Sequence, residues 1–286
     1  MTKRSTILVA VLAGLLAPCA AAGRDITLAA FPSNDPEKLG AVMRDLSDYL
    51  TERLGRPVNS VITRDYAETA ARLAEGSADV AWLGPLSYVQ AVDEIPGLRY
   101  LATYVNRSHA TGEIAPYYRS VIVVAKTSGI ETLADLKGKR FAFTDPESAS
   151  GYAFPVHLLR RNGIDPDRDF AKVFFLKRHD RILDALRHGS VDAGALADEV
   201  YYGARRQTGD AFKVIGTSEP IPMVAVAASA RLDADTAARI QEALVAMPSD
   251  HRFCRKMRET FGWDAAGFRK RDDSLYDPVR AVYGRR

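Results

Sequence analysis

Short apolar runs alternate along this chain with stretches whose apolar residues recur every three to four positions, the patterns of strand and helix. "DITLAAF", from Asp25, reads as a strand. Leu39, Val42, Met43, Leu46, Leu50 and Leu54 then share one helical face, and Gly55 with Pro57 ends that helix. "VNSVIT" is the next strand. Asp65 caps the following helix with Glu68 three residues on, and Gly76 stops it. "DVAWLG" is a short buried strand closed by Gly84-Pro85.

A second set begins at "YYRSVIVVAK". Thr132 caps "LADLKG"; "RFAFT" is a strand, "GYAFPVHLLRRNG" a helix, "KVFFL" a strand, "DRILDALRHG" a helix and "DAGALA" a strand. "PIPMVAVAAS" reads as one further strand, and the remainder as helical apart from the final turns. Strand-helix alternation of this kind predicts an α/β fold with mainly parallel sheets flanked by helices. The 286 residues suffice for two lobes with separate cores. The second set is bracketed by segments near 117–120 and 216–222, where the chain is expected to cross between lobes. Lobe 1 is then 23–118 plus 219–286, and lobe 2 is 119–218.

The first residues form a separate object. "MTKRSTILVAVLAGLLAPCAAAG" has Lys3 and Arg4, an apolar run from Ile7 to Leu16, then Ala20-Ala21-Ala22, the order of a secretory signal spanning 1–22. An exported, periplasmic protein is expected. A lipid anchor at Cys19 is the rival reading, opposed by Pro18 where a small residue is wanted. Cleavage after Ala22 leaves Cys254 as the one cysteine, so no disulfide within the chain is expected. Cleavage also lowers the formal charge from +3 to +1, because the segment carries two cations and no acid. That balance argues against nucleic-acid or membrane binding, and the mixed-sign "FRKRDDS" reads as solvated surface.

The halves resemble each other locally. "DYAETAARLAEGSADVAWLGPLSY" and "RHDRILDALRHGSVDAGALADEVY" align without a gap, matching Asp79 to Asp192, Tyr88 to Tyr201, Tyr66 to His179 and Pro85 to Asp198. The plainer reading is two similar turns. The functional one is that these strand-end positions face a common cleft, since ligands of open α/β sheets sit beyond the strands' carboxyl ends.

"TDPESASGYAFP" sets small residues and hydroxyls between a strand and a helix. The first N–H groups of a helix lack internal partners and favour negative charge, so Ser148, Ser150 and the backbone at Gly151 can bind an oxyanion without a buried lysine. An ordinary N-cap by either serine is the alternative. Ser148 or Ser150, His179 and Asp198 contain the residue types of a hydrolytic triad, yet "ESASG" is not a G-x-S-x-G elbow. No metal-spaced cluster or phosphate-cradling G-x-x-x-x-G-K occurs, so neither cofactor nor catalysis is expected.

These motifs together, with "LSDYLTERLGRPV", "NGIDPDRDF" and the closing "DDSLYDPVRAVY", resemble the PhnD-like family of periplasmic phosphate, phosphite and phosphonate receptors that serve ABC importers. The resemblance implies a two-lobed type II periplasmic-binding-protein fold closing on a small oxyanion, and a permease in the inner membrane as partner to a monomeric receptor. It puts the serine-rich helix mouth on Ser148, Ala149 and Ser150, the cleft histidine on His179, the cleft aspartate on Asp198 and pocket tyrosines on Tyr66, Tyr88 and Tyr118. Asp198 can then accept a proton from a ligand oxygen or meet an amine on a longer ligand, and its plainer reading is a helix cap before "EVYYGA". Two departures stand out: Ala149 lacks the hydroxyl usual at that position, and "LKRHDR" surrounds the histidine with Lys177, Arg178 and Arg181. A receptor of this fold can alternatively report to a membrane sensor kinase.

Overall fold

The computed structural model describes residues 24–109 and 111–284. The signal segment and Cys19 lie outside the described residues.

β1 (Ile26–Ala30) leads into α1 (Pro36–Leu54), which Asp35 caps by accepting from the N–H groups of Glu37 and Lys38 and which Gly55 ends in the left-handed conformation. All six periodic apolar residues of this helix are buried. After β2 (Val58–Ile62), Asp65 caps α2 (Tyr66–Glu75) through the Glu68 N–H at 2.9 Å, while Glu68 reaches back to the Arg64 N–H at 2.8 Å. β3 (Val80–Leu83) is wholly buried, α3 (Pro85–Glu94) follows, and β4 (Arg99–Arg107) and β5 (Ile114–Ala115) form a hairpin.

The run from Tyr117 is not one strand. It divides into β6 (Tyr117–Tyr118) and β7 (Ser120–Ala125), and "PIPMVAVAAS" divides likewise into β12 (Ile221–Pro222) and β13 (Ala225–Ala228). β6 and β12 pair only with each other, as an antiparallel ladder joining Tyr118 to Ile221 and Tyr117 to Pro222. Between these segments lie β8 (Arg140–Phe143), α4 (Phe154–Arg161), α5 (Pro166–Asp169), β9 (Lys172–Phe175), α6 (His179–Arg187), β10 (Ala193–Ala197), α7 (Asp198–Thr208) and β11 (Phe212–Thr217). The chain ends with α8 (Ala234–Val245), α9 (Arg252–Phe261), β14 (Ala265–Arg269) and α10 (Asp277–Tyr283). β14 corrects the wholly helical reading of this region. Gly267, at φ +89°, bulges the strand, so its alternation is broken in the sequence.

Two sheets result, one ordered β14-β4-β13-β3-β1-β2 with β5 on β4, the other β11-β7-β10-β8-β9. Both are mixed rather than mainly parallel. The pairs β1-β2, β1-β3, β8-β9 and β8-β10 are parallel, with helical crossovers between them. β7 and β13 arrive directly from the short ladder without a helix and enter antiparallel.

The local likeness of the halves has a structural basis. Asp79 donates its N–H to the Thr27 carbonyl and accepts the Thr27 N–H on its carboxylate, each at 2.9 Å, and pairs with Arg24. Asp192 donates to the Arg140 carbonyl at 2.9 Å and accepts the Arg140 N–H at 2.8 Å, pairing with the Arg140 guanidinium at 2.7 Å. Each aspartate thus stitches its strand to a neighbour.

Candidate functional site

Beyond the carboxyl ends of β1, β2 and β3 in one sheet and β8, β9 and β10 in the other, the chain encloses a cavity of about 50 Å³. That is several times the space one water needs. Tyr66 and His179, the paired positions of the internal likeness, are the first residues of α2 and α6, and both line it. The two sides touch directly, the His179 N–H donating to the Ser33 carbonyl at 3.0 Å.

Ser148, Ala149 and Ser150 form a third wall. The helix mouth is not a regular α-turn: Ser148 caps a π-turn (Ala149–Ala153) that runs on into α4, and its Oγ accepts the Gly151 N–H at 3.0 Å. With that lone pair occupied, the Ser148 hydroxyl proton is free to point elsewhere. Ser150 is fixed from behind, its carbonyl accepting from Ser120 Oγ at 2.6 Å, while the Ser120 N–H donates to Ser218 Oγ at 3.0 Å. Ser120 and Ser218 flank the β6-β12 ladder, so the serine turn is tied to the crossovers. Burial raises the Tyr66 and Tyr118 phenols, opposed by hydrogen bonding with Ser148 and Ser150 respectively. Both phenols therefore stay protonated.

The tautomer of His179 follows from its partners. Nδ1 accepts the Ala197 N–H at 3.2 Å, so the proton resides on Nε2. Burial lowers the imidazole to about 4, so the ring is a neutral donor rather than an imidazolium. Among the described residues no lysine or arginine lines the cavity. The basic cluster around the histidine is engaged outside the cavity wall: Lys177 pairs with Asp145 at 3.1 Å and Arg178 with Asp180 at 3.0 Å.

The remaining wall is aromatic and apolar, with Phe31 stacked on Tyr66 at 4.3 Å and Trp82 against Tyr104 at 5.2 Å, joined by Trp263 and Met223. Two polar atoms in this wall, Tyr104 OH and Glu199 Oε1, are buried without a hydrogen-bond partner. Burial, then the neighbouring Asp198 charge, pushes the Glu199 carboxyl well above the usual carboxylate range, so it holds its proton.

The structure brings Tyr66, Tyr118, Ser148, Ser150 and His179 to this cavity and sets the other three candidates apart from its lining. Tyr88 donates to Asp273 Oδ1 at 2.6 Å and packs on Tyr276 at 4.6 Å, because α3 turns that face toward the C-terminal helix. Gly151 lies behind the serine turn, where an added Cβ would fall 1.6 Å from Thr144 Oγ1. Asp198 opens α7 and its Oδ1 accepts the Glu199 N–H at 2.9 Å; burial raises its carboxyl to about 6. The carboxyl that lines the cavity is the next residue, Glu199. Its sequence signal was an acid set where the matching residue of the first half is Leu86, a buried position. Cys254 is buried in α9 away from the cavity, and among the described residues no group of ligating side chains is placed to hold a metal ion. No described helix is long and apolar enough to cross a membrane.

Comparison with known proteins agrees with this geometry. The chain is 27% identical over 277 residues to the phosphate-import protein PhnD of Mycolicibacterium smegmatis, covering 90% of this chain and 84% of that protein. It is 28% identical over 149 residues to the tetrathionate sensor histidine kinase TtrS of Salmonella typhimurium, covering 52% of this chain and 25% of the kinase. Among solved structures, PhnD1 from Prochlorococcus marinus in complex with methylphosphonate superposes with a TM-score of 0.80 at 20% identity, covering 91% of this chain and 97% of that one. That likeness identifies the two-lobed type II periplasmic-binding-protein fold. The family model for the ABC-transporter phosphonate periplasmic substrate-binding protein matches residues 28–276. The chain therefore belongs to the phosphonate-binding family of periplasmic substrate-binding proteins of ABC transporters.

Proposed function

We propose that this protein is a receptor that shuts on a small tetrahedral oxyanion, a phosphonate, phosphite or phosphate, and delivers it to an ABC importer. The observation that carries the reading is the convergence of neutral donors on one cavity. Ser148, Ser150, Tyr66, Tyr118 and the Nε2–H of His179 meet there without a cation. Several directed hydrogen bonds offset the desolvation of an anion, each worth about 1.5–3 kcal/mol to a charged group. Glu199, rather than Asp198, is the carboxyl in the cavity wall, and because it holds its proton it donates to an ionised ligand oxygen, the reverse of the acceptance expected of Asp198. The lobes 23–118 plus 219–286 and 119–218 rotate as bodies about the β6-β12 ladder.

Catalysis is not part of this reading. A triad requires a carboxylate to orient His179, but its Nδ1 already accepts a backbone N–H, and Asp198 is engaged with the N–H of Glu199. The export signal at 1–22 with a free N-terminus near Gly23, and a monomeric receptor, complete the proposal. Calorimetric titration with phosphite, methylphosphonate and phosphate tests it; absence of heat with all three, together with no thermal shift, would reject an oxyanion receptor. The partial match to a sensor kinase supports a second reading, in which occupancy is reported to a membrane kinase. Permease and ATPase genes beside this one favour import, and a kinase gene favours sensing.

A further inference from the structure

A groove of about 290 Å³ runs between α2 and α3. Its α2 side is alanine: Ala67, Ala71 and Ala74 are exposed there, at positions where a solvated helix face ordinarily carries charged or polar residues. Ser87 of α3 lines the same groove, only 1% exposed, with a hydroxyl that has no hydrogen-bond partner. The rim is acidic. Glu94 closes α3, and Glu147 comes from the turn that leads to Ser148. Burial and the negative charges of Asp145, Asp65 and Glu94 push the Glu147 carboxyl up, opposed by Lys177, which is itself paired with Asp145.

We propose that this groove docks a basic segment of the membrane permease, an arginine or lysine stem lying over the alanines with its charged head between Glu94 and Glu147. The inference rests on the importer reading. Charge complementarity selects the occupant, since a cation relieves the crowding of carboxylates that the groove holds. A second copy of the chain would bring the same acidic rim against itself. The arrangement also makes docking depend on loading. α2 and α3 belong to the first sheet's lobe, whereas Glu147 directly precedes the cavity serine of the other lobe. Both carboxylates flank the groove only while the cleft is shut, so a segment bound between them distinguishes the closed receptor from the open one.

The test uses the permease–ATPase complex that the importer reading assigns to this receptor, reconstituted in proteoliposomes, and reads ATPase stimulation by methylphosphonate-saturated receptor. Glu94→Lys and Ala71→Trp alter the groove by charge and by volume, and neither residue lines the oxyanion cavity. The half-saturating receptor concentration should rise roughly tenfold or more in each variant and should rise for the unaltered protein with added salt. Methylphosphonate affinity should stay within about twofold in Ala71→Trp and should not fall in Glu94→Lys, whose lysine faces Glu147 in the shut form. Stimulation by both variants at the unaltered concentration overturns the groove and leaves the importer reading intact. Loaded receptor that binds methylphosphonate yet never stimulates the ATPase overturns both. A dimer in sedimentation that Ala71→Trp dissolves assigns the groove to a second copy and also overturns the proposal.

Discussion

Gly151→Ala tests whether the serine turn depends on a residue with no side chain. A Cβ at this position falls 1.6 Å from Thr144 Oγ1, 2.7 Å from Thr144 Cβ and 2.8 Å from Thr144 Cγ2, none of them a possible contact. Thr144 cannot simply retreat. It is fully buried, its N–H donates to the Gly151 carbonyl at 3.2 Å, and its carbonyl accepts the Lys177 N–H at 2.8 Å. The turn must therefore shift, carrying Ser148 and Ser150 with it. Overpacking of this kind costs about 1–3 kcal/mol. At roughly 2–4 °C per kcal/mol for a chain of this size, the melting temperature should fall by about 2–12 °C. Oxyanion affinity should fall as well, because donors aimed at a tetrahedral anion lose alignment.

The partner substitution separates this cause from a general intolerance of the site. Thr144→Ala removes the two atoms at 1.6 and 2.8 Å and leaves the one at 2.7 Å, which a small shift relieves. Alone it deletes a hydroxyl that has no partner and one buried methyl group, at a cost of about 0.5–1.5 kcal/mol. The double variant should recover part of the Gly151→Ala loss, giving a coupling energy of about 0.5–2 kcal/mol. Thermal unfolding and calorimetric titration with methylphosphonate on the four proteins measure both quantities. Strict additivity, or a Gly151→Ala protein that melts and binds like the original, would refute the steric argument.

Local rules made much of the frame legible, and failed where the determinant is a distant partner. The capped, periodic helices α1 and α2 could be read from Asp35, Gly55, Asp65 and Gly76 alone, since those signals act within one turn. "YYRSVIVVAK" and "PIPMVAVAAS" each carry one continuous apolar pattern, and only the pairing of Tyr118 with Ile221 across the molecule breaks each of them in two. Tyr66 and His179 were legible as a pair because both begin a helix just after a parallel strand, a feature of topology that the internal likeness preserves. Tyr88 and Asp198 occupy equally suggestive positions, but the side of a helix on which a side chain emerges depends on what that helix packs against. For α3 that is the C-terminal segment around Tyr276. At the start of α7, the step from Asp198 to Glu199 turns one carboxyl away from the cavity lining and the next toward it.

Ser150→Ala should weaken oxyanion binding by about 1.5–3 kcal/mol, read by calorimetry, without lowering the melting temperature by more than a few degrees; unchanged affinity would remove the serine turn from the site. Because Glu199 keeps in the folded state a proton that the unfolded chain sheds near pH 4.3, folding stability falls as pH rises above about that value, and Glu199→Gln should melt progressively higher than the original protein from about pH 5 to 8. A constant difference across that range would mean that the carboxyl is ionised in the fold. Asp198→Asn should leave the order of preference among phosphite, methylphosphonate and phosphate unchanged, and a reordered preference in titrations would put Asp198 in the site as a proton acceptor. Gly203→Ala addresses closure itself: a Cβ on this α7 residue falls 2.1 Å from the Phe261 carbonyl oxygen at the end of α9, a backbone atom of the opposite lobe that no rotamer can move aside. On the proposed closure, parting of the lobes relieves that clash, so the overpacking penalty of about 1–3 kcal/mol falls on the closed form and should weaken oxyanion binding roughly 5- to 150-fold. The melting temperature without ligand should then change little, while small-angle scattering should show a larger radius of gyration than the original protein at the same subsaturating oxyanion concentration. Equal radii and equal affinities in the two proteins would show that α7 and the Phe261 turn do not meet when the ligand is held.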